Sequence, residues 1–104
     1  MNEINEQTRK KIAGYLGIAQ RAGRVAAGDA MAKDSLVKGK SFLLIIANDA
    51  APKVKEELMA LADEDVPVLI WPDKYDLGLI IGKSRRGAVS LNDEGLAKAI
   101  LKLI

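Results

Sequence analysis

The chain has 104 residues, of which 49% are hydrophobic, and this length supports one buried core but not two, so we expect a single domain spanning residues 1–104. Histidine and cysteine are both absent; we therefore expect neither an enzyme nor a bound metal or cofactor, because the usual general base, the commonest transition-metal ligand and thiol chemistry are missing. The net charge is only +2, so a surface for an anionic partner requires segregated cations.

The start of the chain and its apolar runs bear on the compartment. Residues 1–6 are acidic and polar, where a signal peptide would be basic and then apolar. The apolar run Phe42–Ala47 is too short to span a membrane. We expect a cytoplasmic monomer with no membrane partner.

The first predicted helix begins near Asn5, a good N-cap residue, and ends near Gly23. Gly14 and Gly17 inside it each cost about 1 kcal/mol relative to alanine, which indicates that another element packs closely there. The residues on its predicted core face are Ile12, Leu16 and Ala19.

The next elements alternate between strand and helix. Val25–Ala27 predicts a brief edge strand, and a second helix opens at Gly28-Asp29, with Asp29 as N-cap or first-turn acid, and ends at Gly39. The continuous apolar run Phe42–Ala47 is typical of a strand buried on both faces of a sheet that helices cover.

The second half repeats this alternation. A third helix begins near Pro52, Val66–Trp71 predicts a strand, Asp73 caps a fourth helix, Gly87–Leu91 predicts a strand, and residues 92–94 cap a last helix. The predicted core face of the third helix is Val54, Leu58, Leu61 and Ala62. That of the fourth helix is Tyr75, Leu77, Ile80 and Ile81, and that of the last helix is Leu96, Ile100, Leu103 and Ile104. The pattern predicts an α/β fold, a three-layer α-β-α sandwich around a four-stranded mixed sheet.

The loop after the fourth helix is the best candidate for a working surface. It comprises Lys83, Ser84, Arg85, Arg86 and Gly87. Glycines at both ends let the backbone approach a ligand closely, and guanidinium groups suit phosphates or guanine edges. The alternative interpretation is a solvated loop that happens to be basic. Acidic residues concentrate elsewhere, between positions 56 and 65.

Two other patterns are weaker. Gly78 and Gly82, followed by Lys83-Ser84, resemble a phosphate-binding P-loop, but only three residues separate the glycines and no strand precedes them. Close packing of the two glycines against a neighbour is the favoured interpretation. Trp71 and Tyr75 are possible stacking platforms for bases, although packing against the core is the commoner role for such residues.

The ordered set of local sequences resembles a known family. The segments that carry the resemblance are Arg21–Arg24, Gly28-Asp29, Lys38–Lys40, Phe42–Asp49, Val66–Val68, Leu77-Gly78 and Ala88–Leu91. They are similar to the RNA-binding ribosomal-protein family whose archaeal large-subunit member binds kink-turn RNA, and most similar to its small bacterial YlxQ-like branch. The resemblance covers roughly Leu16 to Leu101.

This resemblance implies a three-layer α-β-α fold, no enzymatic activity, and binding of structured, ribosomal or ribosome-associated RNA, with ribosomal proteins as further partners. The start of the second helix and the loop after the fourth would make the contacts. The implied RNA-binding residues are Arg24, Gly28, Asp29, Ala30, Met31, Lys33, Leu77, Gly78, Lys83, Ser84, Arg85, Arg86 and Gly87.

The sequence departs from the family at the second helix. Kink-turn binders carry an Asn-Glu pair and then a lysine, where this chain has Ala30, Met31 and Asp34. Ala30 and Met31 lack the hydrogen-bonding groups that reading sheared guanine-adenine pairs requires. The alternative function is a protein-interaction or assembly module of the same fold that acts through its acidic third helix. One contiguous patch of Arg24, Lys33, Lys83, Arg85 and Arg86 would favour RNA, and dispersal of these cations would favour the interaction module.

Overall fold

The computed structural model describes residues 4–104 and contains five helices and four strands within that range. The helices are α1 (Glu6–Arg21), α2 (Asp29–Val37), α3 (Pro52–Ala62), α4 (Lys74–Ile80) and α5 (Glu94–Leu101). The strands are β1 (Val25–Ala27), β2 (Leu43–Ala47), β3 (Val68–Trp71) and β4 (Ala88–Leu91).

The four strands form one mixed sheet in the order β1-β4-β2-β3. β2 and β3 are parallel, and β4 is antiparallel to both β1 and β2. Every residue of the two central strands is buried, whereas the edge strands alternate between buried and partly exposed residues. The continuous apolar run of β2 therefore lies at the centre of the sheet, as its sequence predicts.

The helices cover both faces of the sheet. α2 packs on β4 and against α3, while α1 packs against α4 and α5. Ile12, Leu16 and Ala19 of α1, Leu77 of α4 and Ile100 of α5 are fully buried. The predicted α/β fold, a three-layer sandwich around a four-stranded mixed sheet, is confirmed.

Side-chain caps fix the starts of three helices. Asn5, Asp73 and Asp93 each accept a hydrogen bond from the backbone N–H three residues later, at 2.7–2.8 Å. These local bonds satisfy N–H groups that have no partner inside the helix. In α2 the acid Asp29 occupies the first turn instead, and Gly28 is the N-cap.

Four predictions about packing are wrong. Ile104, predicted on the core face of the last helix, is 36% exposed and lies beyond the end of α5 at Leu101. Leu61 and Tyr75 are 40% and 64% exposed, so neither belongs to a core face. No neighbour packs tightly on α1 at its glycines: a Cβ at Gly14 would meet nothing within 4 Å, and one at Gly17 would meet only the Arg21 guanidinium. Regular spacing identifies a helix face but does not show how wide the buried part is.

Three strands begin later in the chain than predicted. β4 begins at Ala88, one residue after the predicted start at Gly87. β2 begins at Leu43, one residue after the exposed Phe42, and β3 begins at Val68, after Pro67. Pro67 has no N–H to donate to the ladder, which places it outside the strand. Within residues 4–104 no helix is long and apolar enough to cross a membrane.

Candidate nucleic-acid interface

We define the basic loop as residues 83–87, between α4 and β4. The loop turns back along α4 and packs directly on it. The Lys83 N–H donates to the Gly78 carbonyl (2.9 Å), and the Arg86 N–H donates to the Lys74 carbonyl (3.1 Å). A Cβ atom at Gly78 would overlap the Ser84 carbonyl, whose carbon would lie 2.6 Å away. Only glycine at this position lets the loop backbone lie so close to the helix.

The end of the basic loop meets the start of α2. The Gly28 N–H donates to the Ala88 carbonyl (2.8 Å), and a Cβ at Gly28 would lie 3.8 Å from Arg86 Cδ. A Cβ at Gly87 would lie 2.9 Å from the Asp29 Oδ1 atom. The two segments that the sequence singled out are therefore neighbours in space, joined at Gly28 and Gly87.

The first turn of α2 offers backbone donors. Gly28 has a φ of 112°, a conformation that favours glycine, and no side chain caps the helix. The first N–H groups of a helix lack intrahelical partners and carry a partial positive charge. Asp29, Ala30 and Met31 are all exposed there, and Met31 is 56% exposed. A phosphate could approach the N–H groups, although the Asp29 carboxylate opposes it.

The cations of the basic loop differ in their surroundings. Lys83 and Arg85 are exposed, and within residues 4–104 neither side chain has a hydrogen bond or ion pair to another residue. Arg86 is half-buried, and its Nη1 donates to Ser84 Oγ (2.8 Å), the Ser84 carbonyl (3.2 Å) and the Arg85 carbonyl (3.0 Å). Arg86 therefore holds the shape of the loop, while Lys83 and Arg85 are available to a ligand.

Two of the other predicted cations are placed differently. Lys33 forms an ion pair with Glu57 of α3 (3.1 Å). Arg24 precedes β1 and its carbonyl accepts from the Asn92 N–H (2.8 Å), at the other end of the strand from Gly28. Because a strand rises about 3.3 Å per residue, the Arg24 and Gly28 backbones are about 13 Å apart. The cations that lie together are those of the loop, so the structure does not gather all five into one patch, and this criterion does not favour RNA over the interaction module.

A partly buried ionic network links α4, the helix on which the basic loop packs, to α1 and β3. Asp76 of α4 accepts hydrogen bonds from Trp71 Nε1 (2.7 Å), Arg9 Nε (2.9 Å) and Arg9 Nη2. The hydrogen bond from Arg9 lowers the pKa of the Asp76 carboxyl, which burial alone would raise, and the Trp71 bond lowers it further. The same bond raises the pKa of Arg9. The network ties α4 to α1 and β3, and so fixes the base on which the loop rests.

Sequence reasoning missed Lys74 and Leu79 at this surface, whereas it named Tyr75 as a possible stacking platform for bases. Lys74 lies beside the loop because its carbonyl accepts from Arg86, and Tyr75 and Leu79 of α4 are 64% and 56% exposed. The available signal for Leu79 was an apolar residue in a short helix next to the basic loop. Trp71, by contrast, is fully buried, which confirms its packing role. Among the residues that the structure describes, no cluster of carboxylates could hold a metal ion.

Comparisons with known proteins place this surface in context. Residues 10–101 match the model of the family described as "Ribosomal protein L7Ae/L30e/S12e/Gadd45 family". The chain is 28% identical to the RNA-binding protein YlxQ of Enterococcus faecium, over 97% of this chain and 98% of that protein. It is 31% identical to the large ribosomal subunit protein eL8 of Thermoplasma volcanium, over 98% of this chain and 86% of that protein.

The fold also matches a solved structure. A Bacillus halodurans protein, described as having unknown function, superposes with a TM-score of 0.83 and 26% sequence identity. The match covers 89% of this chain and 95% of that one.

Proposed function

Because the chain belongs to the ribosomal protein L7Ae/L30e/S12e/Gadd45 family, we propose that it is a non-catalytic RNA-binding protein of ribosomal or ribosome-associated structured RNA. The observation that carries the proposal is the junction of two segments, the basic loop and the start of α2, at Gly28 and Gly87. The curated relatives named as an RNA-binding protein and as a large-subunit ribosomal protein support the same partner class.

The proposed contacts follow from what each segment offers. Lys83 and Arg85 reach phosphates with unpaired charges, and an arginine fork can bind phosphate through two parallel hydrogen bonds. The uncapped first turn of α2 adds backbone donors beside the loop. Such contacts fix the position of an RNA on the protein without reading its sequence. We therefore expect the protein to recognise the shape of an RNA mainly through contacts with its phosphates.

The test is binding of a structured RNA hairpin at several salt concentrations. If about three phosphates are neutralised, the logarithm of affinity should fall with the logarithm of salt with a slope of roughly −2 to −3. The double variant Lys83→Ala/Arg85→Ala should flatten this slope by about one to two. A matched control is Lys98→Ala, which removes an exposed cation of α5 that pairs with Glu94 and should leave the slope unchanged. A slope near zero in the unmodified protein would refute the proposal.

A further inference from the structure

The exposed side of α4 carries an apolar stripe that the packing of the fold does not use. Tyr75 and Leu79 are 64% and 56% exposed, and they lie four residues apart, on one side of the helix. We call this pair the Tyr75–Leu79 stripe. The rise of a helix over four residues is about 6 Å, so the stripe is long enough for one or two bases to stack on it.

The stripe runs directly beside the basic loop. Gly78 faces the loop, since a Cβ there would overlap the Ser84 carbonyl, and Lys74 lies one turn earlier on the same side and accepts from the Arg86 N–H. Successive helix residues are rotated by about 100°, so Tyr75 and Leu79 occupy the neighbouring side.

The other sides of α4 are already occupied. Leu77 and Ile81 are buried in the core, and Asp76 binds Arg9 of α1. Around the helix, the order is therefore core, loop, apolar stripe and α1. The stripe is the one side of α4, among the residues described, that faces solvent next to the cations of the loop.

We propose that the Tyr75–Leu79 stripe is a stacking platform for an unpaired base of the RNA whose phosphates bind the basic loop. An aromatic ring with an apolar neighbour suits the π-face of a base, and Lys83 and Arg85 alongside suit the phosphates that flank it. A nucleotide joins a base to a phosphate, so it matches an aromatic ring that lies beside unpaired cations. The proposal rests on the proposed function and narrows its ligand class to structured RNA with an unpaired nucleotide.

The experiment uses two RNA hairpins of the same stem, one with a single unpaired 2-aminopurine nucleotide and one fully paired. The unmodified protein should bind the first more tightly and quench its fluorescence, because stacking on an aromatic ring quenches this base. Tyr75→Ala should weaken binding of the first hairpin by about tenfold or more and remove the quenching, because stacking is worth about 1–3 kcal/mol per base. Binding of the paired hairpin should change by less than about twofold.

Three controls separate stacking from other causes. Tyr75→Phe keeps the aromatic face and should retain affinity, whereas Tyr75→Leu keeps only apolar volume and should not. Val37→Ala removes a side chain that is equally exposed, 64%, at the far end of α2, and should have no effect. The salt slope should be the same for Tyr75→Ala as for the unmodified protein, because no phosphate contact is lost.

The outcomes distinguish this inference from the function on which it rests. Salt-dependent binding of both hairpins that Tyr75→Ala leaves unchanged, with no quenching, would overturn the stacking platform alone and leave the stripe to a protein partner. Absence of salt-dependent binding to either hairpin would overturn both proposals.

Discussion

The two segments that meet at Gly28 and Gly87 are built in different ways. The basic loop presents the exposed cationic side chains of Lys83 and Arg85, whereas the first turn of α2 presents a carboxylate, a methyl group and a thioether. Under the proposed function, the loop acts through side-chain charge, and the turn offers a phosphate its backbone N–H groups. Under the same proposal, we therefore expect the loop to supply most of the affinity for phosphates and α2 to contribute position with little reading of bases.

The largest expected effect on stability and RNA affinity comes from the close contact between the loop and Gly78 of α4. Gly78→Ala places a Cβ against the Ser84 carbonyl, and because both sides of this contact are backbone, the loop must move. We expect a loss of about 3 kcal/mol in the free energy of unfolding and at least a hundredfold loss of RNA affinity. Denaturant unfolding and RNA titration measure the two quantities.

Gly14→Ala is the matched control for this variant. Gly14 also lies in a helix, but a Cβ there would meet nothing within 4 Å. Alanine should therefore raise the free energy of unfolding by up to about 1 kcal/mol and leave RNA binding unchanged. Equal behaviour of the two alanine variants would show that the loop does not depend on its contact with α4.

The next effect separates the two arginines of the loop. Arg85→Ala removes an exposed cation and should weaken RNA binding by about 2 kcal/mol, roughly thirtyfold, without changing the melting temperature. Arg86→Ala removes three hydrogen bonds to Ser84 and Arg85, so it should loosen the loop as well as weaken binding. Hydrogen exchange of the Lys83 and Arg86 amides reports the loosening. Faster exchange in Arg85→Ala would contradict this division of roles.

The stability that the Asp76–Arg9 contact gives to α4, beneath the loop, should depend on pH. Because the folded-state pKa of Asp76 is lowered by Arg9, its stabilising contribution is complete above the ordinary carboxyl pKa and is lost as the pH falls through the lowered value. Asp76→Asn should cost about 1.5 kcal/mol at pH 7 and reduce the acid-induced loss of stability below about pH 4. Urea unfolding between pH 2 and pH 7 measures both.

Asp34→Asn provides the comparison for Asp76. Asp34 pairs with Lys38 on the surface of α2, where both side chains are more than half exposed. Such pairs contribute about 0.5 kcal/mol or less. If Asp34→Asn and Asp76→Asn had the same effect, the partly buried network of Asp76, Arg9 and Trp71 would contribute no more to stability than a surface ion pair.

The local features of the fold were predictable from the sequence. Asn5, Asp73 and Asp93 cap helices because each acts on a backbone group three residues away, and the apolar run of β2 indicates its central position by composition alone. The basic loop was located in the same way, since its glycines and cations are adjacent in the chain.

Features that depend on the path of the chain through space were not predictable. Arg9 and Asp76 are 67 positions apart, and nothing in either segment indicates the other. The family resemblance implied Arg24 as a contact beside Gly28, but the extended path of β1 carries the two to opposite ends of the strand. Tyr75 was assigned to the core because spacing reveals a helix face without revealing what covers it.

The smallest expected effect concerns specificity, which tests the α2 side of the comparison. Side chains of Ala30 and Met31 cannot form the hydrogen bonds that distinguish sheared guanine-adenine pairs, and good bidentate readout is worth about 1–3 kcal/mol per base. We therefore expect a standard kink-turn to be preferred over a matched duplex by less than about tenfold, or about 1.4 kcal/mol. Competition binding against the same RNA with Watson–Crick pairs in place of the guanine-adenine pairs measures this ratio.

The double variant Ala30→Asn/Met31→Glu sharpens the same comparison. Both positions are exposed in the first turn of α2, so the new side chains should not disturb the core, and they restore the polar groups that kink-turn binders carry there. The preference for the kink-turn should rise above the tenfold bound, while the salt slope set by the loop stays constant. A hundredfold preference in the unmodified protein would mean that backbone groups near Gly28 and the basic loop already read the motif. In that case, α2 would contribute specificity without its side chains.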